Sequence, residues 1–177
     1  MQVITDQVLA FSKDNAPCAT AQPGEVLLFK TQDCFAGRIP TEDVTMKDLN
    51  FSYGFTNPAA GPVYIEGAEP GDVLVVDIYD VQVADHGVIA TDDHCGPLYQ
   101  TTDYRSKIIP IEDGMADFNG VKFPIDPMIG VIGTAPDEGA PADGFVGNYG
   151  GNMDNKLITK GTRLYFPVRV PGALLQI

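Results

Sequence analysis

The chain has 177 residues, enough for one domain that buries roughly two thirds of the surface its unfolded form exposes. Its net charge of −13, from 24 acidic against 11 basic residues, argues against nucleic acid and against anionic membrane surfaces, both of which need a basic face. No run approaches the roughly 20 apolar residues of a membrane span, and the N-terminal MQVITDQV has neither the basic start nor the apolar core of a signal peptide, so a soluble, cytoplasmic protein is expected.

Along the chain the apolar period is two rather than 3.6. Short β-branched or aromatic runs bounded by Gly, Pro, Asn or Asp occur in EVLLFKTQ (25–32), GPVYIEG (61–67), DVLVVDIYDVQV (72–83), RSKIIPI (105–111), MADFNGVKFPI (115–125), MIGVIGTA (128–135) and TRLYFPVRV (162–170). An all-β chain is expected, a β-sandwich of antiparallel strands with long loops and little helix. The only helix offered is TEDVTMKDLNF (41–51), with Thr41 as its N-cap. Asn119-Gly120 predicts a type I′ hairpin turn. Gly and Pro together make 33 residues, which suits many turns. AQPGEVLL (21–28) and AEPGDVLV (68–75) read as one turn used twice, Pro presetting φ and Gly supplying the positive φ of a type II turn that feeds a strand. No Pro- or Ser-rich linker divides residues 1–177, which read as one β domain. TAPDEGAPADGFVGNYGG (134–151) is a long turn-rich loop of the kind that carries function on β scaffolds.

Chemistry-bearing groups are few. With only His86 and His94, a three-histidine metal site within one chain is impossible, and no G-x-S-x-G, H-E-x-x-H, Walker loop or G-x-G-x-x-G after a strand occurs. Cys18, Cys34 and Cys95 are odd in number and widely spaced, which fits reduced thiols. TDDHCGP (91–97) crowds carboxylates, an imidazole and a thiol, all competent zinc ligands, but neighbours on an extended chain point to opposite faces and a polar turn is the simpler reading. In TQDCFAGRIP (31–40), Asp33 follows an apolar strand where the chain turns through Gly37, and Cys34 beside it is either a nucleophile or a buried, inert thiol. YGGNMDNKL (149–157) reads as neither a helix nor a turn between two strands. Its glycines present Asn152 and Asp154 on a bare backbone, for a site or for local bonds that shape the loop.

The series FSKDNAPC, TQDCFAGRI, NPAAGPVYIEGAEPGDVLVVDI, PIDPMIGVIGTAP and GGNMDNKLITKGTRLYFPVRVPGALL closely resembles the acetamidase/formamidase family, in order and across nearly the whole chain. The resemblance implies a β-sandwich-like scaffold and hydrolysis of a short linear amide to a carboxylate and ammonia. It implies that Asp33, Asn152 and Asp154 form the catalytic set, with Tyr149, Gly150 and Gly151 lining the substrate. Asp33 and Asp154, joined by His94, would hold a divalent ion, zinc or calcium.

Three departures from the family pattern stand out. Tyr149 occupies the place of the histidine in H-G-G-N-M-D, a phenol where a neutral base is usual. Asp92, Asp93, His94 and Cys95 replace a glycine-rich loop. VPGALLQI runs in the family into G-D-x-H-A-x-x-G-D-G-E and a further substantial region, so a second polypeptide carrying that region, or self-association over an apolar face of 162–177, is expected to complete the protein. The competing reading is a non-catalytic binding or structural subunit that keeps the fold.

Overall fold

The computed structural model describes residues 1–49, 56–93 and 96–177. These contain strands and turns but no helix, in agreement with an all-β chain. The strands fall into several small, mostly antiparallel sheets distributed over two compact units.

The first unit comprises Met1–Ala36, a stretch ending at Val81, and Met128–Ile177. Two of its strand pairs run parallel: β1 (Gln2–Ile4) with β4 (Leu27–Phe29), and β3 (Ala19–Ala21) with β6 (Val63–Ile65). Antiparallel pairs join β2 (Gln7–Val8) to β5 (Ala59–Ala60) and β7 (Val73–Asp77) to β15 (Arg163–Pro167). A three-stranded sheet places β14 (Gly150–Asn152) between β12 (Val131–Gly133) and β13 (Val146–Gly147). One core cluster is built on Ile4, Ala21, Ala60, Val63 and Ile65, and a second on Ile78, Ile132, Ile158, Phe166 and Leu175.

Of residues 162–177, expected to present an apolar face, the part from 170 onward is largely buried within this unit. Leu174 and Leu175 are each 5 % exposed and Gln176 is fully buried. The cause is backbone pairing inside the unit: Leu175 bridges Val63, Gln176 bridges Gly133, and the Ile177 amide donates to the Ala60 carbonyl at 3.0 Å. The exposed apolar side chains of this region are Tyr165, Val73 and Val75 on the outer face of the β7–β15 ribbon. That face is bounded by the two-pronged ion pair of Arg163 with Asp77, at 2.6 and 2.8 Å.

The twin P-G turns share one construction. Gly24 and Gly71 have φ of +84° and +102°, and the Glu25 and Asp72 amides donate to the carbonyls of Gln22 and Glu69 at 3.1 and 3.0 Å. The acidic side chain then reaches back, Glu25 accepting from the Gln22 amide at 3.2 Å and Asp72 from the Glu69 amide at 2.9 Å. The acid after P-G therefore closes the turn that Pro and Gly open.

The second unit comprises a stretch beginning at Gly37 and Gln82–Pro127. It is an antiparallel meander of β8 (His86–Thr91), β9 (Arg105–Glu112), β10 (Met115–Phe118) and β11 (Val121–Pro124). Asn119 and Gly120, with φ of +53° and +85°, link Phe118 to its partner Val121 as the type I′ signal predicts. The helix expected over 41–51 is absent from its described part, 41–49, which forms turns. Asp48 accepts from the Thr45 amide and hydroxyl, both at 2.8 Å, so a local side-chain bond takes the one backbone donor that Thr45 would give a helix. Asn50 and Phe51 lie outside the described residues.

Candidate active site around Asn152 and Asp154

The stretch that read as neither helix nor turn contains the central strand of a sheet. Gly150 pairs with Gly133 on one side and Gly147 on the other, and Gly151 with Ile132 and Val146. Only glycine fits here: φ is +102° at Gly150 and +96° at Gly151, and a β-carbon would lie 2.3 Å from the Ile132 carbonyl oxygen at the first and 2.2 Å from that of Phe145 at the second. Both glycines are buried between neighbouring backbones.

Strand pairing ends at Asn152, and the chain turns over Gly130. The amides of Met153 and Asp154 donate to the Gly130 carbonyl at 2.9 and 3.2 Å, Asp154 takes a left-handed φ of +44°, and Met153 packs against the second core cluster. Asp154 is exposed, and its Oδ1 occupies space that a side chain at Gly130 would fill, 2.9 Å from the β-carbon position. Asn152 is held by the Phe145 carbonyl, which accepts its amide at 2.9 Å. Its side-chain nitrogen has two alternatives, the Gly144 carbonyl at 3.3 Å or both Asp154 carboxylate oxygens at 3.2 Å, and the second matches a donor to a charge.

Asp33 lies in the turn after β4. Its Oδ1 accepts from the Phe35 amide at 2.8 Å, its carbonyl accepts from the Ala36 amide at 2.9 Å, and positive φ at Ala36 and Gly37 completes the reversal. Asp33, the chain neighbour of Cys34, and Asp154 both act electrostatically on the Cys34 thiol. Although the residue is exposed, crowding around its sulfur first, then the charges of Asp33 and Asp154, push that thiol up to about 11, which favours the neutral thiol at physiological pH.

Tyr149 is turned inward. It is 6 % exposed, its ring sits 5.0 Å from that of Phe11, and its hydroxyl donates to the Phe145 carbonyl at 3.4 Å. Burial and the nearby Asp143 raise its pKa, which removes it further from acting as a base. His94 and Cys95 lie outside the described residues. Of their neighbours, Asp93 accepts a hydrogen bond from the Tyr104 hydroxyl. Among the described residues no three His, Cys, Asp or Glu side chains gather as metal ligands, so Asp33 and Asp154 do not by themselves make the donor set expected for zinc or calcium.

Sequence reasoning passed over Asp143 and Gln176, both fully buried and hydrogen-bonded to each other, and over Gly130. The available signals were an aspartate among small residues in APADGF (140–145) and the one polar side chain in VPGALLQI (170–177). A separate pocket of about 330 Å³, lined by Asp72, Asp137, Arg169 and the prolines at 70 and 167 among others, contains none of the candidate residues.

Comparison with known proteins places this geometry in context. A model of the Acetamidase/Formamidase family matches residues 10–143. A crystal structure of a predicted acetamidase/formamidase from Thermoanaerobacter tengcongensis is 41 % identical with a TM-score of 0.93, the match covering 99 % of this chain and 59 % of that one. The crystal structure of an acetamidase from Bacillus halodurans is 37 % identical with a TM-score of 0.93, covering 98 % of this chain and 60 % of that one. A formamidase of Methylophilus methylotrophus is 25 % identical, the match covering 90 % of this chain and 53 % of that protein. The chain thus spans about half the length of the curated relatives it matches. No helix of the described residues is long and apolar enough to cross a membrane.

Proposed function

The chain belongs to the acetamidase/formamidase family, and from that membership we propose that it carries the Asn152–Asp154 strand end of an amidohydrolase acting on a short linear amide. The observation that supports this reading most directly is the strand end itself, where the buried glycines Gly150 and Gly151 lead to Asn152 and an exposed Asp154 whose carboxylate lies within hydrogen-bond reach of the Asn152 amide. In the reaction a carboxylate, Asp154, takes a proton from water as the water oxygen attacks the amide carbon. The Asn152 amide or a backbone N–H donates to the oxyanion, and the proton then passes to the leaving nitrogen, releasing ammonia and the carboxylic acid, which gives up its own proton to become the carboxylate. Asp33 is the second carboxylate of the site. Free Cys18 and Cys34 support a cytoplasmic, reducing location.

The inward Tyr149 favours a second reading, a non-catalytic subunit that keeps the fold, because the position of the family histidine carries no base. The two are separated by measuring ammonia release from formamide and acetamide by the purified chain, alone and mixed with a polypeptide carrying the family's C-terminal region. Hydrolysis that appears on mixing and is lost in Asp154→Asn supports the amidase. A stable complex with no hydrolysis supports the non-catalytic subunit.

A further inference from the structure

We propose that the buried Asp143–Gln176 pair holds a proton in weakly acidic solution, so that a neutral carboxyl clasps residue 176 to the segment walling the Asn152 strand, and that losing this proton as pH rises to neutral loosens the clasp. The inference concerns the chain's own core and does not depend on the amidase reading.

The argument begins with a count of donors. Asp143 and Gln176 are both fully buried. The Gln176 side-chain nitrogen donates to Asp143 Oδ1 at 3.1 Å and to the Ala10 carbonyl at 3.3 Å. Both amide hydrogens are then spent, and the Ala10 contact fixes which way the amide faces. Two buried oxygens remain without a partner, Asp143 Oδ2 and Gln176 Oε1. A buried, ionised carboxylate with an orphaned oxygen beside an orphaned amide oxygen is a costly arrangement. One proton on Oδ2 removes the charge and supplies the donor that the pair lacks.

Among the described residues no cation acts on this carboxyl. The groups around the carboxyl are Leu9, whose carbonyl accepts the Asp143 amide at 3.0 Å, Ala10, the Ala59 amide, Gln176 and Tyr149. Tyr149 alone among them is titratable, and it is neutral below its raised pKa. Burial pushes Asp143 up to about 7, against the weaker opposing effects of the Ala59 amide and Gln176. The clasp matters for its neighbours because the Phe145 carbonyl, two residues on, accepts from the Asn152 backbone amide at 2.9 Å.

The sign of the pH effect follows from the raised value. The stabilisation is fully present below the ordinary carboxyl range and is lost as pH rises through about 7. The test is denaturant unfolding of the wild type and of Asp143→Asn, whose amide keeps the Oδ1 acceptor and places N–H donors where the proton sits. The folded-to-unfolded ratio of the wild type relative to the variant should fall by up to about tenfold per pH unit between pH 5 and 7, then level off. A ratio that stays constant from pH 5 to 8 overturns the proposal. Should Asp143→Asn fail to fold, infrared spectra of the wild type carrying carboxyl-labelled aspartate decide: a protonated-carboxyl band present at pH 5.5 and lost near pH 7 supports the clasp, and its absence at pH 5.5 refutes it.

Discussion

Replacing Gly150 with alanine tests whether the close approach of three backbones is what presents Asn152 and Asp154. The new β-carbon would lie 2.3 Å from the Ile132 carbonyl oxygen and 2.9 Å from both the Gly133 α-carbon and a Phe166 ring carbon. Ordinary contact begins near 3.4 Å, so β12 and β14 must part by roughly 1 Å, enough to break the ladder between them. Overpacking of this kind costs about 1–3 kcal/mol, and holding alanine at a φ of +102° costs about 1–3 kcal/mol more. The sum is a large share of a typical stability of about 5–15 kcal/mol. Urea unfolding followed by circular dichroism measures the loss. Gly67→Ala is the control, because Gly67 also has positive φ, +75°, but nothing lies within 4 Å of its β-carbon position. Gly150→Ala should lose about 1–3 kcal/mol more than Gly67→Ala, and equal losses in the two variants would refute the packing argument.

Three further outcomes are expected. Asp154→Asn should abolish amide hydrolysis in the assembled protein while leaving the unfolding midpoint within about 0.5 kcal/mol of wild type, since Asp154 is exposed at a strand end. Gly130→Ala should lower activity with a smaller effect on folding, because its methyl competes with Asp154 Oδ1 for the same space; full activity in that variant would show that the carboxylate position is unimportant. Cys34, with its thiol pushed up to about 11, should carry roughly 100-fold less thiolate at pH 8 than an ordinary cysteine, so alkylation followed by mass spectrometry should proceed slowly there and accelerate toward pH 11.

How much of this was legible in the sequence depends on the range of the interaction. The runs around β7, β9, β10, β11 and β15 announce themselves because alternation and turn residues are local, and Asn119-Gly120 fixes its hairpin without outside help. The parallel pairs β1–β4 and β3–β6 leave no such trace, since their partners are set by pairing across 25 and 44 residues. The strand Gly150–Asn152 runs against propensity altogether, glycine being a poor strand former that is needed here only because other backbones press against it. Over 41–49, the described part of the expected helix, the chain turns instead, with the Asp48 side chain serving Thr45. The family resemblance pointed to Asp33, Asn152 and Asp154, but the inward turn of Tyr149 depends on Phe11 and Phe145, and the Asp143–Gln176 contact spans 33 residues. Neither could be read from local pattern.

The meander β8–β11 also bears on the order in which the chain folds. Its strands pair only with sequence neighbours, so its loops close early. The ribbon β7–β15 must instead bring Asp77 to Arg163 across 86 residues, a stretch that includes the meander. Once the meander has collapsed, that span behaves as a far shorter tether, and the entropy of closing β7 on β15 falls accordingly. Substitutions that loosen the Asn119-Gly120 hairpin should therefore slow the appearance of the β7–β15 ribbon more than they weaken it at equilibrium, as stopped-flow refolding would show.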